Sequence, residues 1–228
     1  MKVTILGTGI VGRTLATKLV ELGHETTMGT RNVETTLTNE NKDGYGNAPF
    51  KEWYQEHGQI KLRPLREAAD AADILFNCTG GQVSMAALEA IGEDVLKDKV
   101  LIDLANPLDF SQGMPPSLSP VNTDSLGEQI QRRFPNLRVV KSLNTMNTRL
   151  MVNPSLLKGD HHVFVCGDDA EAKAKTKSML ESFGWRDELI IDLGDISNAR
   201  GTEMLLPIWL RLWGALGTAE FNFHIQRN

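Results

Sequence analysis

Three groups of residues in this chain have the types and spacing needed to hold a dinucleotide. The first is Gly7-Thr8-Gly9-Ile10-Val11-Gly12, placed after an apolar run (Val3, Ile5, Leu6) and before apolar residues at helical spacing (Leu15, Ala16, Leu19, Val20). A glycine triplet gains meaning from that strand-then-helix setting. Gly7 allows a tight turn, Gly9 lets backbone approach a pyrophosphate, and Gly12 lets the helix lie against the strand. The free N–H groups and the dipole of the helix's first turn favour phosphate there. The plain alternative is a strand-to-helix turn that holds nothing.

The second group, Thr30-Arg31-Asn32, stands where the second strand ends. An NAD site would place Asp or Glu about 20 residues beyond the glycines to accept hydrogen bonds from the ribose 2′-hydroxyl. Here the side chains are donors instead, and donors suit a 2′-phosphate. Arg31 can present a planar fork to phosphate oxygens, a contact of roughly 1.5–3 kcal/mol. That favours NADP over NAD by about tenfold to a hundredfold. A solvated surface arginine is the other reading. The third group is Thr79-Gly80 and Asn106-Pro107, which the fourth and fifth strands deliver to the carboxyl edge of the sheet, where doubly wound folds bind ligands. Asn106-Pro107 reads equally as a turn initiator.

No Ser-His-Asp, Cys-His or paired-carboxylate arrangement is recognisable at the strand ends. Reduction of a carbonyl needs a general acid near the oxygen, whereas hydride passes directly between two flat rings held about 3–3.5 Å apart. Lys141 is the one plausible acid, and its alternative is a half-buried strand lysine reaching water. His161 and His162 are neighbours on a strand and point apart, so a metal site is not expected.

These residues need a scaffold, and strands alternating with helices supply one: an α/β Rossmann fold, doubly wound and mostly parallel. Strands are expected at residues 2–6, 25–28, 60–64, 74–78, 100–104, 137–143, 162–166 and 189–193, with helices at 11–22, 65–73, 83–91, 125–134 and 170–183. Residues 33–49 are rich in Asn, Thr, Gly and Asp and read as an irregular excursion that closes over the adenosine end or merely lies on the surface. Residues 109–122 read as loop. Residues 1–193 are expected to form the NADP-binding domain and residues 194–228 a small helical extension. In that extension Leu205, Trp209, Leu212 and Leu216, widened by Ile208 and Trp213, form a stripe suited to core, dimer contact or a ring pocket. Pro207 should kink this helix or mark its first turn.

At 228 residues, 41% hydrophobic and 23% charged, with a formal charge of −5, the composition suits an ordinary globular protein and argues against a nucleic-acid partner. Cys78 and Cys166 are far apart and read as buried thiols. No secretion leader or membrane span is expected, which leaves the cytoplasm as the default location.

The glycine loop, Gly29-Thr30-Arg31, the segment Val139-Val140-Lys141-Ser142-Leu143-Asn144-Thr145-Met146, and Asn198-Ala199-Arg200 before an apolar helix together resemble the NADPH-dependent reductases of the deazaflavin coenzyme F420. The cytosolic domains of membrane metalloreductases resemble the same pattern. The resemblance implies that Thr8, Ile10, Thr30 and Arg31 touch NADP(H) and that Asn144 and Thr145 lie near the nicotinamide. It also implies that the terminal helix helps form the pocket of a small-molecule redox co-substrate, coenzyme F420 or a flavin, and that the protein is a homodimer. The chain departs from the archaeal pattern at Asn144, where those members carry histidine. The expected function is hydride transfer between NADPH and a flat redox ring; the alternative is an NADPH-binding sensor dimer without catalysis.

Overall fold

The computed structural model describes residues 1–42, 46 and 48–228. β1 (Lys2–Leu6) turns through the glycine loop into α1 (Ile10–Glu21), and β2 (Glu25–Thr30) follows. α2 (Val33–Thr38) and α3 (Phe50–Glu56) precede β3 (Lys61–Pro64), and α4 (Leu65–Asp70) leads to β4 (Ile74–Asn77). Then come α5 (Gly81–Ile91), α6 (Glu93–Leu96), β5 (Val100–Asp103) and a ribbon of β6 (Leu108–Asp109) with β7 (Ser117–Leu118). The order continues with α7 (Leu126–Arg133), β8 (Arg138–Ser142), α8 (Thr148–Val152), β9 (Val163–Cys166), α9 (Ala170–Ser182), β10 (Ile190–Asp192) and α10 (Ala199–Leu216).

Eight strands form one sheet in the order β10-β9-β8-β5-β4-β1-β2-β3. Neighbours run parallel except β8 and β9, so the fold is the mostly parallel, doubly wound Rossmann arrangement. β4 and β5 are buried along their whole length, as strands covered on both faces must be. One apolar layer joins α1, through Leu15, Ala16 and Leu19, to Met28, Phe76 and Val140. The other joins Leu75 and Leu101 to Leu88 of α5 and Ile130 of α7.

Several elements differ from expectation. β2 runs on to Thr30, which places that hydroxyl within the sheet. Residues 33–38, expected to be irregular, form α2 because Asn32 caps it: its side-chain oxygen accepts from the Thr35 N–H at 2.8 Å. α2 buries none of its residues, which fits its polar composition. Residues 43–45 and 47 of the expected excursion lie outside the described residues. The 109–122 loop contains β7, and α8 lies in a stretch where no helix is expected.

The expected stripe on the terminal helix is core only in part. The face of α10 turned to the core runs through Ala199, Thr202, Glu203, Leu206 and Trp209, whereas Ile208 and Leu216 are 46% and 57% exposed. Pro207 lies well past the first turn, inside the helix. Trp209 stacks on Phe221 with ring centroids 5.2 Å apart, so the segment after the helix folds back along it. No helix among the described residues is long and apolar enough to cross a membrane.

Candidate functional site

The glycine loop is packed at two of its corners and open at the third. Gly7 has φ +108°, its N–H donates to Gly29 O at 3.0 Å, and a β-carbon there would meet Cys78 O at 2.8 Å. A β-carbon on Gly12 would come within 2.6 Å of Gly7 O and would also press on Ile5 and Met28, so α1 approaches β1 and β2 only because Gly12 has none. Nothing lies within 4 Å of the corresponding position at Gly9. Gly9 caps α1 without any side-chain partner, which leaves the first-turn N–H groups of Ile10, Val11 and Gly12 for an outside acceptor. Those open donors beside an open glycine fit a pyrophosphate. Arg13 braces the loop from below: its Nε donates to Thr8 O at 3.0 Å and its Nη1 to Ala48 O at 2.6 Å.

From Gly9, Ile10 and Val11 a cleft of about 500 Å³ runs past Thr79, Gly80 and Asn106 to Leu108 and Phe110. It brings two of the three expected groups of residues together: the loop, and the group at the β4 and β5 ends. Gly81 permits this, since a β-carbon on it would sit 2.2 Å from Asn106 O. Sequence reasoning missed Gly81, although the Gly80-Gly81 doublet was a visible signal, and it missed Phe110 on the cleft's rim. Pro107, expected to face a cofactor, is buried behind the rim and its carbonyl accepts from Ser119 N at 2.8 Å. Thr145 is also buried and does not line the cleft. Asn144 joins it indirectly: its Nδ2 donates to Asn106 Oδ1 at 2.9 Å while Asn106 Nδ2 donates to Asn144 O at 2.8 Å.

The Thr30-Arg31-Asn32 group lies at the β2 end, away from this cleft, and only part of it is free. Thr36 Oγ1 donates to Asn32 O, so in the 2.7 Å contact between Thr36 and Thr30 the proton comes from Thr30. Thr30 is therefore not the spare donor that the sequence suggested. Asn32 spends its oxygen on the α2 cap. Arg31 is exposed and has no hydrogen-bond or ion-pair partner among the described residues.

Lys141 overturns its expected reading. It is 0% exposed, donating from Nζ to Asp103 Oδ2 at 2.8 Å and to Ala105 O, and lying 2.7 Å from Glu203 Oε1. Burial disfavours its charge, but the two carboxylates outweigh that and hold its pKa above the ordinary lysine value. A lysine so held does not deliver protons to the cleft. The paired carboxylates absent from the sequence reading are thus present, as a buried lock. Asp103 also accepts from Asn77 Nδ2 at 2.7 Å, and Asn77 accepts from Thr79 Oγ1 at 2.7 Å, which ties the lock to the cleft wall. Glu203 accepts from the N–H groups of Leu126 and Gly127 at 2.9 and 3.1 Å, capping α7 from α10. Among the described residues lining the cleft only Cys78 has an ionisable side chain, and burial, aided by the charge of Asp103, pushes its thiol pKa up. No group of His, Cys, Asp or Glu among the described residues is arranged to hold a metal.

A glycine loop at the carboxyl edge of a doubly wound sheet, with open first-turn donors, defines a Rossmann-fold nucleotide-binding protein. A sequence profile of the family described as "NADP oxidoreductase coenzyme F420-dependent" matches residues 2–107. The crystal structure of a candidate F420-dependent NADP reductase from Arthrobacter sp. FB24 is similar over 100% of both chains, with 56% identity and a TM-score of 0.94. The F420-dependent NADP reductase of Methanothermobacter marburgensis is 26% identical over 93% of this chain and 92% of its own. Metalloreductase STEAP3 of Rattus norvegicus is 28% identical over 91% of this chain, which spans 38% of that longer protein. The chain belongs to the family of coenzyme F420-dependent NADP oxidoreductases.

Proposed function

We propose that the protein transfers hydride between NADPH and a flat redox ring, a deazaflavin such as coenzyme F420 or a flavin. The observation that carries this reading is the character of the cleft: it is lined by glycine, small polar and apolar groups, and its one ionisable group among the described residues is a thiol kept protonated. Such a surface suits a step in which no proton need be supplied to an oxygen. The chain's own contribution is positional. The first-turn N–H groups of α1 would hold the pyrophosphate and Arg31 the 2′-phosphate. The Asn106–Asn144 pair, fixed by reciprocal hydrogen bonds, would form the floor under the nicotinamide. When bound, the nicotinamide supplies the hydride. The relatives' names support NADP and F420 as the two reactants.

The test follows absorbance of the reduced nicotinamide while purified protein meets NADPH and a panel of F420, FMN, riboflavin and ferric chelates. Turnover with a ring acceptor is the expected result. Tight NADPH binding with no turnover against any acceptor would refute the reading and favour a sensor. Arg31→Ala is expected to weaken NADPH by about tenfold to a hundredfold and NADH little; equal losses for the two would remove Arg31 from the 2′-phosphate.

A further inference from the structure

Arg31 has a neighbour of the same kind. Arg63, in β3, stands opposite Gly29 in the parallel register with β2, and Arg31 lies two residues beyond Gly29. Strands about 4.8 Å apart with a rise of about 3.3 Å per residue put the Cα atoms of Arg31 and Arg63 about 8 Å from each other. That is well inside the combined reach of two arginine stems.

Partners in register point to one face of a sheet, and alternate residues along a strand share a face. A β-carbon on Gly29 would touch Leu65 and Ala68 of α4 at 3.3 Å, so Arg63 starts on the α4 face. The alternation of β2 carried one residue past its end starts Arg31 there as well. Thr30 points the other way, toward Thr36 of α2.

The charges around this corner are unbalanced. At the opposite end of β3, Lys61 is neutralised by Glu25 at 2.6 Å, and one residue into α4, Arg66 is paired with Asp94. Arg63 is exposed and, like Arg31, has no hydrogen-bond or ion-pair partner among the described residues. Two uncompensated guanidinium groups this close together build a local positive potential that an anion relieves. The carboxyl ends of strands are also where a nucleotide lies in this fold.

We propose that Arg63 is a second phosphate-gripping residue, closing with Arg31 on the phosphate monoester of the adenosine ribose and so setting preference for the phosphorylated dinucleotide. This rests on reading the β2 end as the 2′-phosphate subsite. One arginine supplies a fork to two oxygens of the monoester, and the second answers its remaining charge.

The test is calorimetric binding of 2′,5′-ADP, 5′-AMP and inorganic phosphate to the full chain, as wild type, Arg31→Met, Arg63→Met and Arg63→Lys. Both arginines are exposed, so the variants should fold, which far-UV circular dichroism checks. Wild type should prefer 2′,5′-ADP to 5′-AMP. Arg63→Met should weaken 2′,5′-ADP by about tenfold while leaving 5′-AMP within about twofold, and Arg63→Lys should fall between the two. If Arg31→Met loses that preference and Arg63→Met keeps it, Arg63 is overturned and the subsite stands. If wild type shows no preference for 2′,5′-ADP, the subsite and Arg63 fall together. If inorganic phosphate alone binds the wild type as tightly as 2′,5′-ADP and loses that binding in both Arg31→Met and Arg63→Met, the two arginines form a general anion site and the proposal is wrong.

Discussion

Replacing Lys141 with methionine asks directly whether the buried lock is an energetic centre of the fold. The substitution keeps most of the volume and removes the charge, leaving Asp103 and Glu203 facing each other at 0% and 3% side-chain exposure with no cation between them. Breaking a buried ion pair from one side costs about 3–5 kcal/mol, because a charge stays behind without compensation. Against a total stability of about 5–15 kcal/mol this is a large fraction. With an m-value of about 2–3 kcal/mol/M in urea, the unfolding midpoint should drop by about 1–2.5 M. The companion variant is Lys141→Met with Glu203→Gln, which removes one leftover charge and keeps an acceptor for the α7 N–H groups. Because the residues touch, the double variant should lose at least about 1 kcal/mol less than the sum of the two single losses. Equilibrium urea unfolding followed by tryptophan fluorescence measures all three. A loss below about 1 kcal/mol for Lys141→Met, or strict additivity in the double variant, would refute the account of the lock.

Other outcomes follow from the same geometry. Gly9→Ala should leave the urea midpoint near wild type yet weaken NADPH, whereas Gly12→Ala, forced to 2.6 Å from Gly7 O, should destabilise the fold by about 1–3 kcal/mol; calorimetry and unfolding separate the two. Arg132 beside Asp124 holds that carboxyl at about 2, below its ordinary 3.8, so the pair's stabilisation is present above pH 4 and is lost as pH falls toward 2. Because both groups are partly exposed, the loss should stay under about 1 kcal/mol, and Asp124→Asn should flatten the acid limb of an unfolding series. Burial pushes the Cys166 thiol up to about 12, so a chromogenic disulfide reagent at pH 8 should leave it unmodified until denaturant is added; rapid labelling of Cys166 in the native protein would contradict its packing.

The glycine loop, the alternation of strands and helices and the residues at the carboxyl edge were legible in the sequence because each depends on local spacing: a turn, a periodicity, a crossover. What the sequence hid depends on distant contacts. Lys141 in Val139-Val140-Lys141 looks like a strand residue reaching water, and its partners Asp103 and Glu203 come from another strand and from the terminal helix. Nothing near Glu203 marks it as the cap of α7. Thr30 looked like a free donor because the polar stretch after Asn32 gave no sign of the helix whose Thr36 takes that proton. Arg63 alternates with buried Leu62 as an ordinary edge residue would, and only the register with Gly29 brings it beside Arg31.

Glu203 also has a consequence for how the chain matures. During synthesis Lys141 and the start of α7 leave the ribosome long before α10, so the centre of the sheet spends that interval holding an ammonium group with half its counter-charge and a helix whose opening amides are unanswered. The sheet and α7 gain this part of their cohesion only once α10 has packed, so the lock closes late in the chain's own order.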